Sequence, residues 1–187
     1  QLRAGIMTLL ILGIALWSGA HWVKRLAPDA RAAMGAKGKG VMALLMVVGI
    51  VLMVLGYKQA PYIELWSVPS FMTHINNTLM LIAVWFFALT HTKGAMRGRF
   101  RHPMLGSVKI WALAHLLVNG DVASVVLFGS MLAWAVGSVI MINRAEGAYV
   151  RPEAGTWARE GITLIITLVT YGIFSGIHIW AGVSPFS

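Results

Sequence analysis

Long apolar stretches separated by short polar segments dominate this sequence. Six of them have, or nearly have, the length of a membrane-spanning helix: about residues 4–23, 41–57, 71–91, 103–118, 122–142 and 162–183. A helix needs about 20 mainly apolar residues to cross the hydrocarbon core of a bilayer. The pattern therefore predicts an all-α fold, a polytopic bundle of six transmembrane helices, in which residues 1–187 form a single integral membrane domain.

The basic residues lie mostly on one side of these predicted spans. The loops after spans one, three and five hold twelve of the fifteen lysines and arginines, namely Lys24, Arg25, Arg31, Lys37, Lys39, Lys93, Arg97, Arg99, Arg101, Arg144, Arg151 and Arg159. The opposite side has only Arg3 and Lys58, and Lys109 lies within a span. Because lysine and arginine in short loops mark the cytoplasmic side, we expect loops one, three and five in the cytoplasm and both termini outside.

The composition agrees with a membrane protein and excludes several other classes. Hydrophobic residues make up 58% of the chain and charged residues only 11%, against about 25% charged residues in average soluble proteins. So few polar residues remain that we expect membrane lipids around the chain and no nucleic-acid partner. The absence of cysteine excludes disulfides, thiolate catalysis, cysteine-based zinc sites and iron–sulfur clusters.

His115, deep in the fourth span, is the strongest single candidate for chemistry, because ionisable groups inside a span are costly and usually functional. On a helix it shares a face with Trp111 and Ala112. The small alanine leaves room for a flat macrocycle beside the imidazole, and Trp111 is placed to pack against the edge of such a ring.

His21, near the end of the first span, has a similar setting one turn after Trp17. Two neutral imidazoles that face each other across a helical bundle make a bis-histidine haem site. His21 and His115 are therefore the candidate metal ligands, the alternative being that they only form hydrogen bonds between helices. The residues leave open whether His102 or His178 replaces one member of this pair.

Arg101-His102-Pro103 begins the fourth span, since proline is favoured at the first position of a helix. Arg101 would lie at the cytoplasmic surface, where a guanidinium can bind lipid phosphate or haem propionates. Lys109 shares a helix face with His102; it either extends its ammonium to the interface or pairs with an anion.

Two later segments have polar patterns of their own. Asn119-Gly120-Asp121 suits a tight turn, with Asp121 as the N-cap of the fifth span. Residues 143–161 alternate arginine and glutamate and are expected to form a solvated hinge. The sixth span carries polar residues at helical spacing, which would either join helices or line a ligand cavity: Thr163, Thr167, Tyr171 and His178.

Several segments resemble the NnrU family of bacterial inner-membrane proteins. They are Gly19-Ala20-His21 with Arg25, RHPMLG from Arg101, KIWALAHLL from Lys109, Asn119-Gly120-Asp121, Phe128-Gly129-Ser130 and Trp134-Ala135. They cover essentially the whole chain, and the stretch from Arg101 to Asp121 is the most specific. The resemblance implies the bacterial cytoplasmic membrane and a link to denitrification genes. In that membrane, the outer side on which the charge pattern places both termini is the periplasm.

Plant and cyanobacterial relatives of that family are cis-ζ-carotene isomerases that carry haem b. The resemblance therefore implies haem b as cofactor, with His21 and His115 as axial ligands, and cis–trans isomerisation of a carotenoid or another polyene. Further cofactor-binding candidates are Arg101, His102, Lys109 and Trp111. The plant isomerases have a cysteine where this chain has Ala112, so a switch between cysteine and histidine ligation cannot form here; no catalytic residue is assigned.

A second hypothesis is non-enzymatic: an accessory or assembly subunit of a larger respiratory, denitrification or photosynthetic membrane complex. Eight tryptophans and the small-residue face Gly129/Ala133/Gly137 suit packing against other helices or pigments. Under this hypothesis the histidines would alternatively ligate the magnesium of a chlorophyll.

A third hypothesis comes from the Arg-His-Pro motif, which also resembles membrane methyltransferases. Those enzymes carry paired glutamates after the next span. Here the glutamates are spaced apart along the chain, at Glu146, Glu153 and Glu160, which makes this the weakest of the three hypotheses.

Overall fold

The computed structural model describes residues 2–186, apart from the side chains of residues 2–4 and 6. The side chain of Arg3, which the charge pattern assigns to the outer side, therefore lies outside the described part. All regular structure within residues 2–186 is helical, and the β-pairing there consists of two isolated bridges, Glu64 with Asp121 and Gly94 with Thr156. The predicted all-α class is confirmed.

Seven helices follow one another along the described chain. They are α1 (Leu2–Leu26), α2 (Pro28–Ala33), α3 (Gly38–Gln59), α4 (Met72–His91), α5 (Pro103–Val118), α6 (Val122–Glu146) and α7 (Trp157–Trp180), with a 3-10 turn at Gly35–Lys37. Near its start, α6 contains a π-helical stretch, Val125–Gly129. We call residues 60–71 loop two, residues 92–102 loop three and residues 147–156 loop five.

Within residues 2–186, five helical segments are long and apolar enough to cross a membrane: Met7–Leu26, Gly35–Gln59, Met72–His91, Val122–Glu146 and Trp157–Trp180. Helix α5 has the predicted bounds but only 16 residues, about 24 Å, against a hydrocarbon core of roughly 30 Å. Helix α7 begins before residue 162 because Thr156 caps it, its hydroxyl accepting from the N–H of Arg159. These are the helices of a multi-pass membrane protein.

The chain divides into two compact units, and its description as one domain over residues 1–187 stays a prediction. The first unit comprises Gln1–Trp66 and Gly120–Trp134. Here α1 and α3 run antiparallel with their backbones in close approach. A Cβ on Gly13 would lie 2.6 Å from the Met53 nitrogen, and one on Gly56 would lie 2.5 Å from the Leu10 nitrogen. Small residues permit such an approach between membrane helices. His21 lies on α1, so the packing of α1 against α3 fixes the helix that carries this histidine.

At one end of the first unit, loop two pairs with the start of α6. The N–H of Leu65 donates to the Gly120 carbonyl over 2.7 Å. Asp121 caps α6 as predicted, accepting from the Ser124 N–H at 3.0 Å and from the Ser124 hydroxyl. The Ser124 hydroxyl also lies 2.8 Å from the Tyr57 hydroxyl, so this end of α3 joins the same hydrogen-bond network.

The second unit comprises Ser67–Asn119 and Ala135–Ser187, and α4 packs in it against both α5 and α7. Gly106 of α5 lies against the Phe86 ring of α4, which a Cβ would meet at 2.7 Å. At the C-terminal end of α4, the Thr163 hydroxyl of α7 donates to the hydroxyl of Thr92, the C-cap residue of α4, over 2.9 Å. Thr163 thus joins helices, one of the two roles that its spacing predicts.

Loops three and five are bound to each other within the second unit. The Gly155 N–H donates to the Gly94 carbonyl over 3.0 Å. Glu160 lies directly beside Gly94 and accepts from the Trp85 indole at 3.3 Å and from the Met96 N–H at 3.1 Å. The prediction of a solvated hinge over residues 143–161 is therefore wrong for Glu160, which is buried. The reason is that its carboxylate forms hydrogen bonds with α4 and loop three and so joins them to α7.

Candidate functional site

In the described part of the chain, three histidines inside the apolar helices share one ring arrangement. Each Nδ1 faces the backbone carbonyl four residues earlier: His21 that of Trp17 (2.8 Å), His115 that of Trp111 (2.9 Å) and His178 that of Phe174 (2.8 Å). A carbonyl oxygen only accepts, so Nδ1 donates and Nε2 of the neutral ring carries the lone pair. Histidines that bind metals are commonly fixed in this way.

His21 lies in an aromatic cluster of the first unit. Its ring centre is 4.2 Å from that of Trp17 and 5.0 Å from that of Trp134, and the two indoles contact each other at 5.7 Å. Both indole Nε1 atoms are buried without a hydrogen-bond partner. Buried donors are rarely left unsatisfied, so this cluster stands out from ordinary helix packing.

His115 lies on α5 in the second unit, with Trp111 and His178 as ring neighbours. The ring centres are 5.4 Å apart for Trp111 and 6.4 Å apart for His178, the two imidazole planes being inclined by 39°. Trp111 thus packs against the histidine. Ala112, expected to leave room beside it, is fully buried at 0% exposed.

The polar residues of α7 form one stripe that ends at His178. Thr163 and Thr167 are buried, at 0% and 2% exposed, while Tyr171 is half-buried and His178 is exposed. The stripe is therefore covered by protein at the start of α7 and open at its end. His178 lies at the open end, facing His115.

Arg101 and His102 have partners at the end of α6. The Arg101 guanidinium donates to the Gly147 carbonyl over 2.6 Å, lies 3.8 Å from the Glu146 carboxylate and stacks 5.7 Å from the Tyr149 ring. Cations near a helix C-terminus stabilise the terminal carbonyls, so this contact fixes loop three to α6.

His102 adds to the same attachment, because its Nε2 lies 2.8 Å from the Asn143 side-chain oxygen. Thirteen residues of helix, about 20 Å, separate His102 from His115. Lys109 lies between them on α5 and is half-buried. The predicted residues thus divide into a surface group around Arg101 and His102 and an intramembrane group around His115 and Trp111.

His178, which the sequence leaves open as an alternative ligand, lies beside His115. Three features of these sites were not expected from the sequence: Trp134 beside His21, buried Glu160 and the Tyr57–Ser124 contact. Only Glu160 had a sequence signal, because it continues the spacing of Thr163 and Thr167 toward the start of α7.

Fold and site together define a multi-pass helical membrane protein with histidines inside its spans. The family model described as NnrU protein matches residues 9–185. The chain therefore belongs to the NnrU family, as the sequence resemblance predicts. No curated protein and no solved structure matches the chain significantly.

Proposed function

We propose that this NnrU-family protein binds haem b within the membrane. The observation that supports the proposal is the ring arrangement of the intramembrane histidines, in which Nδ1 faces a carbonyl of the same helix, so that Nε2 would be the nitrogen to ligate iron. His115 is the central ligand. The family likeness gives His21 as its partner.

The composition of the site favours haem over a bare metal ion. In residues 2–186, no group of three or more histidine, cysteine, aspartate or glutamate side chains could hold a metal. A protein-bound zinc ion takes three or four such ligands. Haem iron has its equatorial ligands in the porphyrin and needs only axial ones from the protein, which two histidines can supply.

The remaining residues would hold and shield the group. Trp111 packs against the His115 ring, and the indoles of Trp17 and Trp134 pack against the His21 ring. When bound, haem would supply one-electron redox chemistry and an iron centre whose properties the axial ligands set.

A visible spectrum of the purified chain tests this proposal. After expression with ample haem, we expect a Soret band and, on reduction, the α and β bands of a b-type haem. His115→Ala should lose most of the bound haem, whereas His74→Ala, at an exposed position on α4, should keep it. A folded but colourless wild-type protein would overturn the proposal.

We also propose six membrane crossings in the bacterial cytoplasmic membrane, with loops three and five in the cytoplasm. The hydrogen bond between Gly155 and Gly94 and that between Arg101 and Gly147 support this. These bonds hold loops three and five together, so we place both loops on the same side of the membrane. Along the chain, α5 and α6 connect loop three to loop five. If α6 crosses the membrane, α5 must cross it too for the chain to end on the side where it began.

For the activity, we propose cis–trans isomerisation of a carotenoid or another polyene, on the likeness to the haem isomerases. The exposed position of His178 on a helix with apolar outward side chains gives an apolar substrate access from the bilayer. Incubation of the reduced protein with a cis-carotene should change the isomer ratio. An unchanged ratio, with recovery of the chain in a stoichiometric complex, would favour an accessory subunit of a larger membrane complex instead.

A further inference from the structure

We propose that the first unit binds the phosphate of an anionic phospholipid at the connection between α1 and α3, with the Arg31 guanidinium as its central donor. We call residues 24–40, which run from the last turn of α1 to the first turn of α3, the basic connection. The proposed contact goes beyond the haem function and does not depend on it.

The basic connection carries far more positive than negative charge. Its basic residues are Lys24, Arg25, Arg31, Lys37 and Lys39, and its single acidic residue is Asp29. The three lysines are exposed. One carboxylate balances only a small part of this charge, so the surface attracts anionic partners.

The basic connection lies at the level of the lipid headgroups. The candidate membrane spans on either side of it are Met7–Leu26 and Gly35–Gln59, and so short a segment between two spans stays close to the membrane surface. No residue of α2 or of the 3-10 turn is buried in the protein. Leu26, the last residue of α1, is 67% exposed. Exposed apolar and basic side chains together match a lipid, which offers both an acyl chain and a phosphate.

Arg31 differs from the other basic residues of the connection in its position. Its guanidinium lies directly against Gly38, the first residue of α3, where a Cβ of that residue would lie. Gly38 is buried and Arg31 is half-buried, whereas the lysines of the connection are exposed. A guanidinium presents several N–H donors in one plane and binds two phosphate oxygens at once. Its placement beside α3 lowers the entropy that is lost when a headgroup binds.

Native mass spectrometry of the protein in detergent, titrated with phosphatidylglycerol or with phosphatidylcholine, tests the proposal. We expect wild type to bind the anionic lipid about tenfold more tightly than the zwitterionic one. Arg31→Gln should weaken the binding of phosphatidylglycerol about fivefold, which is the effect of one basic residue near an anionic surface. Arg97→Gln is the matched control, because it removes the same charge from an exposed position of loop three, and it should have little effect.

Two glycine variants test the placement of Arg31 without a change of charge. Gly38→Ala puts a Cβ where the guanidinium lies, and the end of this flexible side chain can move aside. We therefore expect a folded protein that binds phosphatidylglycerol severalfold more weakly. Gly40→Ala should bind as wild type does, since a Cβ there meets nothing within 4 Å. Circular dichroism and gel filtration check the fold of each variant.

Several outcomes would overturn the proposal. Equal affinity of wild type for the two lipids would contradict it, as would equal losses in Arg31→Gln and Arg97→Gln. Wild-type affinity in Gly38→Ala would show that the position of the Arg31 guanidinium does not matter. Displacement of phosphatidylglycerol by millimolar inorganic phosphate would show a site for the free anion rather than for a lipid.

Discussion

The backbone N–H of Gly155 donates to the carbonyl oxygen of Gly94 over 3.0 Å. This bond joins loop five to loop three, and a Cβ on Gly155 would overlap the Lys93 carbonyl, so the two loops touch backbone to backbone. Loop three carries four basic residues and loop five carries Arg151, and basic residues in short loops favour the cytoplasmic side. The contact supports the proposal of six crossings, in which α5 crosses the membrane as well as α6.

Single-cysteine labelling should place loops three and five on the same side. The chain has no cysteine of its own, so each introduced thiol is the only one to react. In intact cells, an impermeant maleimide should label Ser67→Cys and Ser184→Cys. It should leave Ala30→Cys, Arg97→Cys and Ala154→Cys unlabelled until the membrane is opened. Labelling of Ala154→Cys on the side opposite to Arg97→Cys would mean that α5 does not cross.

Gly13→Ala should destabilise the packing of α1 on α3. Its Cβ would lie 2.6 Å from the Met53 nitrogen and 2.7 Å from the Gly49 carbonyl oxygen. Backbone atoms cannot rotate away, so we expect a loss of about 1–3 kcal/mol, measured by thermal unfolding in detergent.

Gly19→Ala is the matched control on the same helix, because a Cβ there meets nothing within 4 Å. Alanine is favoured over glycine inside a helix by about 0.5–1 kcal/mol, so this variant should be as stable as wild type or more stable. Equal stability of the two variants would show that α1 and α3 do not approach as closely as described.

The sequence predicts the helices well and their contacts poorly, for a physical reason. Apolar runs determine where a chain can enter a bilayer, so α5 has the bounds expected from residues 103–118. The spacing of four residues likewise places Trp17 beside His21. Trp134 reaches the same ring from another helix, and a periodicity along one helix contains no information about which helix packs against it.

Glu160→Ala should destabilise the attachment of loop three. One carboxylate oxygen of Glu160 accepts from the Trp85 indole and the other from the Met96 N–H. Alanine leaves both donors unsatisfied, at a cost of about 1–3 kcal/mol for each. Glu160→Gln has one carbonyl oxygen and should lie between alanine and wild type in thermal unfolding and in the rate of proteolysis within loop three.

Glu153→Ala is the control for this series, because Glu153 is an exposed glutamate of loop five. A surface substitution of this kind changes stability by about 0.5 kcal/mol or less. If Glu160→Ala were as stable and as protease-resistant as Glu153→Ala, the carboxylate would not hold loop three in place.

Asp121→Ala should destabilise the start of α6, because this carboxylate accepts from both the N–H and the hydroxyl of Ser124. Loss of an N-cap costs about 0.5–2 kcal/mol, and asparagine caps helices about as well as aspartate. Asp121→Asn should therefore have a thermal unfolding midpoint close to that of wild type. Asp121→Ala should have a lower midpoint, and its Ser124 amide proton should exchange faster.

Asp29→Ala, in exposed α2 without a capping hydrogen bond, is the control for charge removal. If Asp121→Asn lost as much stability as Asp121→Ala, the negative charge rather than the cap would be what α6 requires.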